Sequence, residues 1–276
     1  MDSTQPSVLI VILNYGTYQM TIDLIRELKQ TLDYDNYSIM VVDNCSPNES
    51  AEELGKAKDK LGYIFYPNTT NAGYAAGNNI GIRYGIEHGY VYSWILNNDV
   101  ELRERNVLQH IVGIAEADER IGCIGPKIYS PDGSIVAPYC RRPTFYSMTI
   151  GIVAEKRYRQ KNIEKSGEVY RVYGCCMLLK NKAMADVDFL DERTFLYGEE
   201  DILGERLLKG RYTTYYDASV SVTHLGSDTM KKMNMKKSSS KKRNISLELY
   251  LREYRGFNAA QIWACKCVRS VITLIR

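Results

Sequence analysis

The run Trp94-Ile95-Leu96 stops on Asn97-Asn98-Asp99. An apolar strand with a carboxylate at its tip offers a hard oxygen, the ligand type that a divalent cation takes. The same residues also suit a plain turn. A second acid, Asp43, closes the run Tyr37–Val42. It can accept from a ribose hydroxyl or a base N–H, or form an Asx turn ahead of Pro47. Glu199, Glu200 and Asp201 open a helical segment. Acids there stabilise the helix dipole by about 0.3–1 kcal/mol. Successive helical residues point about 100° apart, so one of the three can face a cleft as general base for a hydroxyl. His224 ends the strand-like VSVTHLG, and a lone histidine reads first as structural. His88 and His110 fall in helical segments with no neighbouring signal. In Asn71–Gly81, Gly77 and Gly81 suit close helix packing, while Gly73, ahead of the helix, lets backbone approach a ligand.

These residues need elements to hold them. Val8–Leu13 is a β-branched and aliphatic run fit for a strand buried on both faces. Thr17 can cap the helix that follows, where Leu24, Ile25, Leu28 and Leu32 recur at helical spacing. The pattern continues as strand 37–42, a helix from Glu49 to about Lys60, strand 63–66, a helix through about His88, and strand 90–96. That β-α-β-α-β-α-β order over about 100 residues implies a parallel sheet with helices on both faces. Ligands of such sheets bind outside the carboxyl ends of the strands, so Asn14-Tyr15, Asp43-Asn44 and Asn97-Asn98-Asp99 should share one edge. NYGTYQMT after the first strand is not a dinucleotide fingerprint, and it lacks the basic loop of a nucleotidyltransferase. In the second half, strand-like runs at 121–124, 170–179, 212–216 and 220–224 surround an irregular stretch, roughly 131–167, and a helix from 199 to 209.

The 276 residues allow one large domain or two small ones, and a hydrophobic share of 45% excludes general disorder. A net charge of +3 does not argue for nucleic acid. The basic residues cluster instead, as KKMNMKKSSSKKR from Lys231 to Arg243. That block and the tail after it, with Ile262, Trp263, Val268, Val271, Ile272 and Ile275 among cations, suit an anionic membrane surface. They equally suit packing on the domain or on a second copy in a homodimer. The seven cysteines show neither zinc nor redox spacing. They read as reduced thiols of a cytoplasmic protein without signal peptide or membrane span.

Taken together, VILNYGTYQMT, VVDNCS, NTTNAGYAAGNNIGI, LNNDV, YGCCMLL, DERTFLYGEEDILGERLLKG and VTHLG resemble the family-2 glycosyltransferases. The likeness runs from Val8 to about Gly226. It is strongest to the branch of bacterial rhamnosyltransferases and related surface-polysaccharide enzymes. The resemblance implies an α/β GT-A fold over residues 1–228. A Rossmann-like nucleotide-sugar half spans about 1–100, an acceptor half about 101–228, and a basic linker with a helical tail 229–276. It implies an inverting transfer from a UDP- or dTDP-sugar to a glycan or lipid-linked acceptor, in the cytoplasm or on the inner face of the membrane. Asn14, Tyr15, Asp43, Asn71, Gly73, Asn97 and Asn98 would line the donor pocket. Asp99 and His224 would hold Mn²⁺ or Mg²⁺, the imidazole favouring Mn²⁺. Glu200, Asp201 or Glu199 would be the base. Two departures stand out. Asn97 replaces the first acid of the D-x-D element, which lowers the charge offered to a cation and keeps a non-catalytic, nucleotide-sugar-binding role open. Gly198-Glu199-Glu200-Asp201 fits the family's acidic pattern in two registers, one favouring Glu200 and the other Asp201.

Overall fold

The computed structural model describes residues 5–226 and 236–275. Its first hundred residues follow the expected alternation: β1 (Val8–Asn14), α1 (Tyr18–Thr31), β2 (Tyr37–Asp43), α2 (Ser50–Leu61), β3 (Ile64–Pro67), α3 (Tyr74–Glu87) and β4 (Tyr92–Leu96). The strands lie in the order β3-β2-β1-β4 and are parallel. Alternation along β1 builds both faces of the sheet. Val8, Ile10 and Ile12 pack with the buried residues of α1 and α4 (Val107–Ala117), and Leu9 and Val11 pack with α3. Gly77 and Gly81 permit that second contact. A Cβ on Gly81 would sit 2.4 Å from Val11, and one on Gly77 would sit 2.6 Å from Leu13.

The sheet continues without a break into the second half. β8 (Cys176–Lys180) runs antiparallel between β4 and β6 (Ile121–Tyr129). β9 (Thr213–His224) is parallel to β6 and carries β5 (Val100–Leu102) and β7 (Gly167–Val169) as antiparallel partners. The runs 212–216 and 220–224, expected as two strands, fall almost wholly in this one strand because a register shift at Pro126/Lys127 absorbs the interruption. The stretch 131–167 is also more ordered than its sequence suggests. It holds the short helices α5 (Phe145–Met148) and α6 (Ile152–Gln160), with a Thr144/Ser147 capping box at the first. α7 (Asn181–Asp186) and α8 (Glu199–Lys209) cover the α3 face.

The C-terminal segment forms α9 (Lys236–Leu249), a π-helical turn (Tyr250–Tyr254) and α10 (Ala259–Ile275). Of the basic block, residues 231–235 lie outside the described residues. Leu247, Tyr250, Leu251 and Ile262 are buried against Tyr170 and Ile202. Each such side chain contributes about 1.5–3 kcal/mol relative to exposure, enough together to dock the segment on α8. The segment as far as Ile262 therefore packs on the domain, while Trp263 and Val271 are exposed. Among the described residues no helix is long and apolar enough to cross a membrane.

Candidate active site

Because β1, β2 and β4 are parallel neighbours, their carboxyl ends lie side by side. Asn14 and Asp43 are register partners, both buried, and Asn14 Nδ2 donates to Asp43 Oδ1 at 2.7 Å. Ser46 closes on the same carboxylate, its hydroxyl donating to Oδ1 at 2.5 Å and its N–H to Oδ2 at 3.0 Å. The turn expected of Asp43 thus exists. A carboxylate accepts about four hydrogen bonds, so acceptor capacity remains at Oδ2. Gly16 turns the chain with φ +73° and donates its N–H to Ser46 Oγ at 2.8 Å, after a half-buried Tyr15. Asn98 Nδ2 donates to Thr17 Oγ1 at 2.9 Å and Thr21 Oγ1 at 2.8 Å, and Thr21 Oγ1 donates to Asn14 Oδ1 at 2.9 Å. Thr17 therefore does not cap α1 with its side chain, because Asn98 occupies its hydroxyl. One hydrogen-bond chain links three strand tips.

Asn71 and Gly73 sit on the next loop. Asn71 Oδ1 accepts from Gly73 N at 3.0 Å and from Asn44 Nδ2 at 3.1 Å. Gly73 has φ +102°, and a Cβ there would lie 2.3 Å from the Phe195 carbonyl oxygen. The close approach that its glycine permits is thus with the chain leading to the acid cluster.

Asp99 is 5% exposed. Its Oδ2 lies 3.2 Å from His224 Nε2, although 125 residues separate the two in the sequence. The β5–β9 pairing makes this contact, since Val100 and His224 are register partners and Leu225 N donates to Asp99 O at 2.9 Å. Asp99 Oδ1 is buried with no hydrogen-bond partner among the described residues. A buried carboxylate oxygen left bare is costly, and a bound cation would satisfy it. Together the pair supplies one hard oxygen and one imidazole nitrogen, which fits Mn²⁺ or Mg²⁺ completed by phosphate oxygens. No group of three or more acids, histidines and cysteines is poised for a metal among the described residues. Asn97 is half-buried, and its side chain makes no hydrogen bond among the described residues.

The turn Tyr173–Cys176 joins this corner to the acids. Asn97 N donates to Cys175 O at 2.9 Å, and Gly174 N donates to Glu200 Oε1 at 3.1 Å. The Cys175 thiol feels both Asp99 and Glu200, and burial and these charges push its pKa up. Gly198, left-handed at φ +90°, starts α8 and sends its three acids different ways. Glu199 turns inward, 2% exposed, and burial first and Glu200 second raise its pKa to about 8. Glu200 stays half-buried at the turn. Asp201 accepts from Arg171 Nε at 2.6 Å, in an ion pair whose side chains are 10% (Arg171) and 23% (Asp201) exposed.

The sequence from 7 to 187 matches the family model described as glycosyl transferase family 2. The chain belongs to that family. The matched segment contains Asn14, Asp43, Asn98 and Asp99 but ends before α8 and His224. An N-acetylglucosaminyl-diphospho-decaprenol L-rhamnosyltransferase of Mycobacterium tuberculosis is 27% identical over 68% of this chain and 66% of its own length. The low-salt glycan biosynthesis hexosyltransferase Agl10 of Haloferax volcanii is 26% identical over 69% of this chain and 58% of its own. The chain thus spans slightly under two thirds of the curated relatives it matches. The mannosyltransferase PcManGT of Pyrobaculum calidifontis, solved with GDP-Man and Mn²⁺, superposes with a TM-score of 0.62. At 13% identity over 96% of this chain and 70% of the other, that likeness establishes the GT-A fold.

Two residues bonded to the Gly174 turn and the acids escaped the sequence reading. Tyr74 donates its hydroxyl to Gly174 O at 2.6 Å, and Arg171 pairs with Asp201. YGCCM carried the first signal, a glycine ahead of a strand where a Cβ would sit 3.1 Å from Glu200 and 3.2 Å from Tyr74. Nothing local to Arg171 forecasts its partner.

Proposed function

We propose that the protein transfers a sugar, with inversion, from a UDP- or dTDP-linked donor to a hydroxyl of a glycan or lipid-linked acceptor in surface-polysaccharide synthesis. The observation that carries this is Asp99 at 3.2 Å from His224 with a bare Oδ1, joined through the Gly174–Cys175 turn to Glu200. Asn14, Asp43 and Asn98, locked by their mutual bonds, would orient the nucleoside without reorganisation. Asp99 and His224 would hold Mn²⁺ or Mg²⁺, whose chemistry is Lewis-acid neutralisation of the departing diphosphate. Glu200 is the base this geometry favours. Asp201 is committed to Arg171, and Glu199 is buried, whereas Glu200 spends one oxygen on Gly174 N and keeps the other to take the acceptor's proton. A positioned base typically supplies about 10²–10⁴-fold.

The reading is tested by screening nucleotide-sugars by thermal shift with Mn²⁺ and then measuring donor hydrolysis and transfer. A ligand at 100 times its dissociation constant should stabilise by about 2.7 kcal/mol, and chelator should abolish turnover. Full turnover after exhaustive chelation would remove the roles of Asp99 and His224.

The same reading extends to peripheral contact with an anionic membrane. Tyr146, Ile150 and Val153 on or beside α5 and α6, and Trp263 on α10, are 62%, 86%, 58% and 69% exposed. Lys156, Arg157 and Lys161 lie exposed on and just after α6. Apolar side chains among cations suit an anionic interface. Wild-type protein should co-sediment with phosphatidylserine vesicles, and an Ile150→Asp/Val153→Asp double variant should not. Equal sedimentation of the two would move the contact elsewhere.

A further inference from the structure

We infer that Tyr74 is a positioning residue for the base: it ties the loop 71–73 to Glu200 and holds that acid from two directions. The ties stand on their own geometry; the word base rests on the proposed function.

Tyr74 is the first residue of α3, directly after Gly73. The loop before it is fastened to the tip of β2. Asn44, 3% exposed, donates its Nδ2 to Gly73 O at 3.2 Å as well as to Asn71, and its backbone N donates to Asn14 O at 2.8 Å. Tyr74 then reaches the acids twice. Its backbone N, one of the donors that a helix start leaves over, donates to Phe195 O at 2.9 Å, five residues ahead of Glu200. Its hydroxyl donates to Gly174 O at 2.6 Å, and Gly174 N donates to Glu200 Oε1 at 3.1 Å. The start of α3 thus holds both the chain that delivers the acid and the turn that receives it.

The delivering chain needs such a hold. Tyr197 at φ +71° and Gly198 at φ +90° are both left-handed. That conformation is disfavoured for a tyrosine and persists where the surroundings over-determine it. The Phe195–Tyr74 bond restrains the turn on one side. On the other, Asp201 is held by Arg171, which stacks on Tyr139 beside Arg159. Between these anchors the Gly174 N–H aims Glu200. Little slack remains there, because a Cβ on Gly174 would stand 3.1 Å from Glu200 Oε1 and 3.2 Å from the Tyr74 hydroxyl. Burial first and the charge of Glu200 second raise the Tyr74 pKa, so the hydroxyl keeps the proton it donates. Misplacing a reacting group by about 1 Å can cost about 100-fold in rate.

Tyr74→Phe removes the one hydroxyl and keeps the ring. The first readout is amide exchange in the full chain labelled with ¹⁵N-glycine, with Gly174 assigned through its loss in Gly174→Ala. Gly174 N–H should exchange about tenfold faster or more in Tyr74→Phe, while Gly85, farther along α3, exchanges as in wild type. An unchanged rate at Gly174 overturns the inference. So does equal acceleration at both glycines, since the hydroxyl would then only stabilise the helix. The second readout is transfer. Tyr74→Phe should lower kcat about 10–100-fold with donor KM unchanged. In a Glu200→Gln background it should lower kcat no further, because it acts through that carboxylate. A further drop in that background, or a raised donor KM at full kcat, overturns the role. If the Phe variant unfolds, Gly174→Ala, which wedges the same groups apart, takes its place with a comparable fall in kcat; full kcat there overturns the role. A wild-type protein that neither transfers nor hydrolyses any nucleotide-sugar, yet shows the amide effect, marks failure of the glycosyltransferase reading and not of the Tyr74 tie.

Discussion

The donor corner and the acid corner are built on opposite principles. At the tips of β1, β2 and β4, the polar side chains bond to one another, from Asn98 through Thr21 and Asn14 to Asp43 and Ser46. At the β5–β9 corner and the start of α8, buried polar atoms have no hydrogen-bond partner among the described residues, Asp99 Oδ1 and Glu199 Oε1 being two of them. The first arrangement is rigid without ligand. The second leaves buried polar atoms that a ligand would satisfy. On the proposed function, preorganisation would serve recognition at the first region and electrostatic demand would serve chemistry at the second.

Substitutions on the two sides should therefore differ in kind. The largest effect belongs to Asp99→Ala, which should cut transfer at least about 100-fold while circular dichroism stays native; retention of a tenth of wild-type rate would refute the cation role. Glu200→Gln should lower kcat by about 100-fold or more with donor affinity intact, as single-turnover kinetics would show. Asp201→Asn should act through stability instead. Stranding Arg171 in a mostly buried pair costs about 3 kcal/mol, readable by urea denaturation, with a smaller rate effect than at Glu200. On the rigid side, Gly73→Ala meets the Phe195 backbone at a positive φ and should cost at least about 2 kcal/mol. The smallest effect is pH-dependent. The Glu199 pKa is raised in the folded state, so its favourable contribution is full below the ordinary carboxylate range and is lost as pH rises towards about 8. Glu199→Gln should match wild type near pH 5 and exceed it by about 1–3 kcal/mol near pH 8.5. Equal stability at both values would mean that Glu199 ionises freely.

The contrast also explains what could be read in advance. The donor half is a series of local patterns, with apolar runs ending on Asn14, Asp43 and Asp99, and parallel order alone places those ends together. The meeting of Asp99 and His224 was reached through family resemblance, because the β5–β9 pairing that creates it spans more than a hundred residues. The Arg171–Asp201 pair, the Tyr74–Gly174 bond and the arginines around Tyr139 were not legible. Each joins residues about 20 or more apart whose partners are chosen by packing rather than by periodicity. Stretch 131–167 seemed patternless because its helices are only four and nine residues long.

The tripeptide Tyr173-Gly174-Cys175 has a mechanical implication. Its peptide groups are pinned on one side by Asn97 and on the other by Glu200 and Tyr74. It works as a fixed gauge block whose thickness sets how far the Asp99–His224 corner stands from Glu200, the base proposed above. Lengthening it by a single residue would leave both ends chemically complete and yet out of step with each other.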